Sequence, residues 1–520
     1  MTHDHSSKIE TVKMEDNNIT LGNLIMRFFK SSAFTRKMLA IWLVLHCVTV
    51  SAQETQYEEM KRTMNETSLP LVNMLVDIAS VNQSYYVQGE IEITDYQRRT
   101  SPSSSTVRYL CQYRIRGGSA AGYAKKSFAV KLCDEQGEDL DANILGIREE
   151  NSWILDAMAI DRTRMRNRVC FDVWNSMSRT SYDTKYDNRN GTNGVFVEVF
   201  INGEYNGLYC LSDKIDRKLL GLKKAKLDDE GEVSIRGLLY KGIKWHGPDI
   251  YLLAYNEADT SQDTWNGWEL QYPDDYPSDK TWQPLMDLID FCSDNTPDDT
   301  FIQEYKDYFY PENLVDYAVF TMAMNVGDNA YKNTLLSTVD ISKGHRYLLS
   351  PWDMDMSLGG LWNGNYDETL ASIDRYENIA PYNRLSVQNI DGFKDMEARK
   401  WAEFSTTLFS CDSIARRVDH YAKLFTSSGA WEREYAKWNG NPVPLKENIA
   451  DELEYVKSWY TMNYENLCAQ FGSDITTALS NTDFGSRGDW GLFTIDGRRI
   501  HKNVMRKGVY IVKGRKVVIK

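Results

Sequence analysis

What the sequence lacks narrows its chemistry. The 520 residues include only 7 histidines, and beyond residue 52 only His246, His345, His420 and His501 remain. No H-E-x-x-H run and no G-x-S-x-G elbow occurs, which speaks against a zinc protease or a serine hydrolase. No Cys-x-x-Cys pair occurs among the 8 scattered cysteines, so a structural zinc site is not expected. Cys111, Cys133, Cys170, Cys210, Cys292, Cys411 and Cys468 read mainly as small buried apolar residues, with room for one or two disulfides. There is no basic excess: 60 Lys and Arg face 74 Asp and Glu, a net charge of −14. Nucleic acid is therefore not an expected partner, because phosphate backbones recruit basic surfaces. A metal-bound nucleotide is still compatible, since its metal needs acidic residues. No apolar run is long enough for a stable membrane span.

What is present describes a folded, exported chain. The hydrophobic share is 42% and the aromatic share 12%, with 31 Tyr and 14 Trp. That supports a large core, and the length predicts two lobes or two to three domains. Arg36 and Lys37 precede the apolar run LAIWLVLHCVTV, and Val50-Ser51-Ala52 forms a small-residue cleavage site before Gln53. Residues 1–52 are read as a signal peptide with a mis-assigned upstream start, the true start being Met26 or Met38. The expected location is secreted or cell-surface, on the periplasmic or outer side.

Patterning predicts an α+β chain. Residues 53–90 form a lead-in. Residues 91–215 read as strands, with VRYLCQYRIRG and KKSFAVKL joined by the loop GGSAAGYA, then the buried strand SWILDAMAI. A helix follows Asp161, its stripe formed by Met165, Val169, Val173 and Met177. The segment VFVEVFINGEYNGLYCLSDKID reads as a hairpin turning at Asn202-Gly203. Residues 216–310 are acidic and Trp-rich and read as an insertion. Residues 311–326 read as a helix with Pro311 at its start; two short strands follow, and residues 395–470 are mostly helical. The tail, residues 484–520, reads as a small basic β module.

Two clusters carry chemistry. In NVGDNAYKNTLLS, Asp328 and Asn333 stand in the D-x-x-x-x-N spacing of a protein-kinase catalytic loop. There the Asp takes a hydroxyl proton and the Asn holds a magnesium ion. In LLSPWDMDMSLGG, Asp353 and Asp355 follow a strand end, and alternation puts both on one side. Two such carboxylates repel unless a cation lies between them. Arg114 and Arg116 lead into Gly117-Gly118-Ser119, and Lys125, Lys126 and Lys131 follow. A glycine-rich turn with nearby cations suits phosphate, although the Walker A pattern is absent. The hairpin ends in Asp213, Lys214 and Asp216, by analogy the strand leading to a nucleotide hinge.

Four blocks in order resemble the CotH (spore coat protein H) kinase family of atypical protein kinases. They are RIRGGSAAGYAKKSFAVKL, SWILDAMAIDRTRMRNRV with its central Arg166-Asn167, the hairpin, and GDNAYKN followed by PWDMDMSLGG. The resemblance covers roughly residues 90–400. It implies a reduced two-lobed kinase-like fold. The N-lobe would span about 91–215, the insertion about 216–310 and the C-lobe about 311–470. It further implies transfer of the γ-phosphate of ATP, with Mg2+ or Mn2+, to Ser or Thr of exported proteins. Asp328 would be the catalytic residue, and Asn333, Asp353 and Asp355 metal ligands. Arg116, Lys126 and Asp213 would bind the nucleotide, with Lys131 a rival to Lys126. Asp213 stands where the family often has Glu. The C-terminal module resembles sorting signals of exported Bacteroidetes proteins. The alternative reading is a non-catalytic surface-binding module with a kinase-like fold, motivated by Trp245, Trp265, Trp268 and Trp282.

Overall fold

The computed structural model describes residues 54–227, 232–245, 247, 251–256, 259–330, 332–369 and 379–481; for 473–481 and four later strands it describes the backbone. The signal-peptide segment, residues 1–52, lies outside the described residues. The chain divides into two units, Met1–Thr63 and Met64–Lys520. The first contributes one described helix, α1 (Gln56–Thr63).

The second unit begins with a closed seven-stranded barrel. Its strands are β1 (Leu71–Leu75), β2 (Val87–Thr94), β3 (Thr106–Arg116), β4 (Ser127–Cys133), β7 (Ser152–Asp156), β8 (Gly194–Ile201) and β9 (Glu204–Ser212), in the spatial order β1-β2-β3-β4-β7-β9-β8. A two-stranded ladder, β5 (Ala142–Asn143) with β6 (Glu149–Glu150), interrupts the sequence. Alternation drives the closure: Val72, Met74, Ile91, Ile93, Cys111, Tyr113, Phe128, Val130, Leu132, Trp153 and Leu155 point inward and form one core. Where a small kinase-like N-lobe from residue 91 was expected, the lead-in supplies β1. That strand pairs antiparallel with β2 and parallel with β8, so it closes the sheet. The β8–β9 hairpin turns as read, with Asn202 at φ 51° and Gly203 at φ 86°, the backbone a tight hairpin needs.

The rest of the unit is built around a larger core. Helix α2 (Arg166–Met177) and helix α5 (Pro311–Met324) lie in it. Asp161 accepts the backbone N–H groups of Met165 and Arg166, at 2.8 and 2.7 Å, and so starts α2 later than the sequence suggested. Pro311 opens α5, and Asn325 closes it in the left-handed conformation.

The Trp-rich segment is not an appended insertion. After the small ladder β10 (Lys226–Leu227) and β11 (Val233–Ser234), it supplies β12 (Leu238–Gly242), β13 (Thr264–Trp265) and β14 (Trp268–Tyr272). With β15 (Thr334–Thr338) and β16 (Tyr347–Pro351) these form one sheet, ordered β13-β14-β12-β15-β16. Trp265, Trp268 and Trp282 are buried in the core, and Trp245 is partly exposed. Burying indole rings in a core is the usual use of such residues, and it removes the surface-binding motive for three of the four. Helices α3 (Asp279–Cys292) and α4 (Asp298–Tyr308) also come from this segment.

Short helix α6 (Tyr382–Leu385) and helices α7 (Phe393–Ser405), α8 (Cys411–Ser427), α9 (Ala430–Trp438) and α10 (Ile449–Asn481) complete the region, as the sequence predicted for 395–470. The C-terminal module is a four-stranded sheet: β17 (Leu492–Thr494), β18 (Arg499–Ile500), β19 (Gly508–Val512) and β20 (Arg515–Ile519), ordered β18-β17-β19-β20. The seven cysteines from Cys111 onward are all free thiols.

Candidate functional site

After α5 the chain makes a 3-10 turn, Gly327–Ala330, which carries Asp328. Asn333 follows with φ 63°, a left-handed backbone that Asn tolerates better than most residues. Its N–H donates to Gly242 O at 2.9 Å, which pins the loop to β12. Its side-chain Nδ2 donates to Asp328 Oδ2 at 3.3 Å. The D-x-x-x-x-N pair therefore does meet in one place.

Asn329, between them, was not singled out in the sequence. Its Nδ2 donates to Trp352 O at 2.9 Å, and its Oδ1 accepts the Trp352 N–H at 3.0 Å. This two-way amide bond mimics a strand ladder and locks the Asp328–Asn333 loop beside the acidic segment. Nothing in the sequence distinguishes Asn329 from an ordinary loop Asn.

Asp353 follows Trp352 in a left-handed conformation, φ 55°. It is exposed and Asp355 is half-buried. Between them, Met354 donates its N–H to Asn167 Oδ1 at 3.1 Å, and Asn167 Nδ2 donates to Asp156 Oδ2 at 3.0 Å. Asp156 ends barrel strand β7, so the site gains a fourth carboxylate, one that sequence reasoning missed. Burial, followed by the charges of Asp353, Asp156, Asp328 and Asp161, pushes the Asp355 carboxyl well above the usual aspartate range.

That electrostatic state tests whether a metal fits. Among the described residues neither Asp353 nor Asp355 has a hydrogen-bond or ion-pair partner for its side chain. The donors are hard oxygens crowded with like charge, a setting that a divalent cation relieves. No three Asp, Glu, His or Cys side chains among the described residues converge into a closed metal cage. Magnesium does not require one, since phosphates and water complete its shell. Asp353, Asp355 and Asn333 are the side chains that would hold it.

Cations face these acids. Arg116, at the end of β3, lies 5.6 Å from the Trp352 ring centre. Lys332 lies 4.1 Å from the ring of Trp245. Lys241, on β12, is half-buried. Burial lowers its ammonium, Asp353 and Glu269 pull the other way, and Arg116 and Lys332 add repulsion.

The other expected nucleotide residues differ. Lys126 Nζ donates to Ala121 O at 2.7 Å and so ties down the glycine-rich loop. Lys131 pairs with Asp139 at 2.8 Å near the protein surface. Asp213 corrects the hinge expectation. It is fully buried and pairs with Arg148 Nε at 2.8 Å and Arg189 Nη2 at 2.9 Å, and it accepts the Asn193 N–H at 2.7 Å. A carboxylate with two guanidinium partners and no exposure is an internal tie.

On the other flank of the loop, a cavity of about 310 Å³ is lined by Asn325, Gly327, Met356, Gly360, Tyr366 and Asp367. It opens beside the residue preceding Asp328. The site thus brings the carboxylates of Asp328, Asp353, Asp355 and Asp156 together with the cations Arg116, Lys241 and Lys332.

A protein-family model described as CotH kinase protein matches residues 113–467. The match begins inside β3 and takes in every residue of the site; β1 and β2 lie outside it. No curated protein matches the chain.

Proposed function

Because the chain belongs to the CotH kinase protein family, we propose that it is an ATP- and divalent-metal-dependent protein kinase acting on Ser or Thr hydroxyls of exported proteins. The observation that carries this reading is the hydrogen bond between Asn333 and Asp328 beside Asp355, on which the charges of Asp353 and Asp328 both act.

Asp328 takes the proton of the acceptor hydroxyl as its oxygen bonds to the γ-phosphorus and the bond to the ADP oxygen breaks. Asn333 holds the carboxylate for that role through its 3.3 Å hydrogen bond. The metal, when bound, supplies charge neutralisation for the phosphates. Arg116 adds a guanidinium on the barrel side. Lys126 acts by fixing the loop Ser119–Gly122 rather than by touching phosphate. The cavity beside Gly327 gives an acceptor side chain a route to Asp328.

The proposed setting is outside the cytoplasm, on the strength of the leader-like segment that ends at Val50-Ser51-Ala52. The basic C-terminal β module is proposed as a sorting element.

Radiolabel transfer from ATP with magnesium or manganese tests the activity. Wild type is expected to label an acceptor protein or itself, and Asp353→Ala is expected to lose the label. Equal labelling by the two proteins would overturn the proposal.

A further inference from the structure

We propose that Lys241 grips the β- and γ-phosphates of the nucleotide, so that a cation of the site comes from the five-stranded sheet and not from the barrel. This rests on the kinase reading above and names a residue that neither motif spacing nor the family resemblance assigned.

Placement comes first. Lys241 sits opposite Leu335 of β15 on one side and Glu269 of β14 on the other. The next residue, Gly242, accepts the Asn333 N–H at 2.9 Å. Lys241 is therefore fixed one residue from the bond that sets Asn333. Its neighbour Tyr240 points into the core, stacking on Trp282 and reaching the Thr281 carbonyl. Strand alternation then directs Lys241 to the opposite face, where Asp353 is the charge that acts on it most strongly.

The charge balance comes second. Asp353, Arg116 and Lys332 all act on Lys241, yet among the described residues no carboxylate lies within the 4.0 Å ion-pair distance of Arg116, Lys241 or Lys332. Two of them rest over indole rings, which hold a cation in place without neutralising it. The acids alone call for a cation, and the three basic groups alone call for an anion. A metal-bound polyphosphate satisfies both at once. A lone carboxylate or a bare metal satisfies one and aggravates the other.

The competing role is structural, with Lys241 acting only as a distant counter-ion to Asp353 and Glu269. A nucleotide series separates the two. Calorimetric affinities for ATP, ADP and AMP with magnesium are measured for wild type, Lys241→Met and Lys241→Arg, together with each protein's Tm without nucleotide. Lys241→Met is expected to weaken ATP and ADP by roughly 10- to 100-fold, the scale of a lost charge-assisted hydrogen bond. AMP affinity is expected to stay within about twofold, and Lys241→Arg to recover most of the loss at unchanged Tm. ATP binding by Lys241→Met as tight as wild type overturns the proposal, as does an equal loss for ATP and AMP. Absence of nucleotide binding by wild type overturns the kinase reading itself, a different and recognisable outcome.

Discussion

Asn167 Nδ2 donates to Asp156 Oδ2 at 3.0 Å, while its Oδ1 receives the Met354 N–H at 3.1 Å. One amide thereby spans the end of a barrel strand, the first turn of α2 and the residue between Asp353 and Asp355. It touches no reacting atom, so it acts by positioning. Asn167→Ala is expected to lower metal affinity and phosphate transfer by about 10- to 100-fold, the usual effect of removing a group that orients metal ligands. Asn167→Asp is expected to be at least as damaging, because it sets a second carboxylate against Asp156. Metal affinity measured in the absence of ATP, beside circular dichroism of the folded state, checks both. Full metal affinity in either variant would show that the bridge is idle.

Asp355 should limit stability when no metal is present. Its folded pKa is raised above the unfolded value by burial and by Asp353, Asp156 and Asp328. A raised aspartate binds more protons folded than unfolded, so its effect on stability worsens as pH climbs through that window and persists at neutral pH. Asp355→Asn removes the repulsion. It is expected to raise the Tm of the metal-free protein by about 1 °C per kcal/mol recovered, since unfolding entropy is about 2.1 cal/mol/K per residue and the unit spans Met64–Lys520. Magnesium with ATP should then stabilise wild type and leave Asp355→Asn nearly unmoved. Thermal melts with and without ligand distinguish these outcomes; an unchanged or lower metal-free Tm for Asp355→Asn contradicts the argument.

The nearness of the candidate residues was legible because it is local. Asp328 and Asn333 are 5 positions apart and meet through one loop, and Asp353 and Asp355 share a strand end. How these pieces are assembled was not legible. Asn329 and Asp156 make their contacts across gaps fixed only by the fold, and Asn167, though part of a recognised block, gave no sign that it would reach Asp156 and Met354. Asp213 shows the converse. Its place after a hairpin matched a nucleotide hinge, but Arg148 and Arg189, distant in sequence, claim its charge. The barrel was missed for a similar reason: SLPLVNMLVDI reads as a short apolar strand or helix, and only the pairing of Leu71–Met74 with Glu198–Ile201 reveals a strand that closes a ring. The Trp-rich stretch misled because composition does not tell a core ring from an exposed one.

The four tryptophans of that stretch should therefore separate by mutation. Trp282 is buried, packing on Tyr240 and Trp265. Trp282→Ala is expected to cost about 3–5 kcal/mol, the range for emptying a large core site. Trp245 is 41% exposed, and Trp245→Ala should change stability by under about 0.5 kcal/mol. Denaturant titrations measure both, and comparable losses would contradict the burial argument.

The tie between barrel and helices rests on Glu434. Its Oε1 accepts from Lys125 Nζ at 2.6 Å and from Arg164 Nε at 2.7 Å, and its Oε2 accepts the Leu208 N–H at 2.8 Å. All three side chains are buried. Gly207 permits this approach: at φ 130°, an added Cβ would stand 2.7 Å from Glu434 Oε2. Burial raises the Glu434 carboxyl, and the Lys125 and Arg164 charges more than offset it, leaving it below its ordinary value. Burial also pulls the Lys125 ammonium down to about 7 against the pull of Glu434. The short contacts to two cations make the Glu434 direction the governing one. A depressed carboxyl adds stability above its unfolded pKa and loses it as pH falls through the folded value, so the tie holds at neutral pH and fails only in acid. Glu434→Gln should cost about 3–5 kcal/mol at pH 7, because it leaves buried cations without their partner. Arg164 keeps three carbonyl acceptors, from Met158, Ala159 and Asp161, whereas Lys125 keeps one, Leu208 O at 2.6 Å, so Lys125 bears most of the loss. Adding Lys125→Met to Glu434→Gln is therefore expected to recover part of it. A double-mutant cycle by denaturant unfolding should give a favourable coupling of roughly 1–3 kcal/mol. Strict additivity would mean that the two charges stabilise the fold independently, leaving the Arg433–Glu198 pair, the Trp438–Asn206 hydrogen bond and packing to hold the barrel to α9.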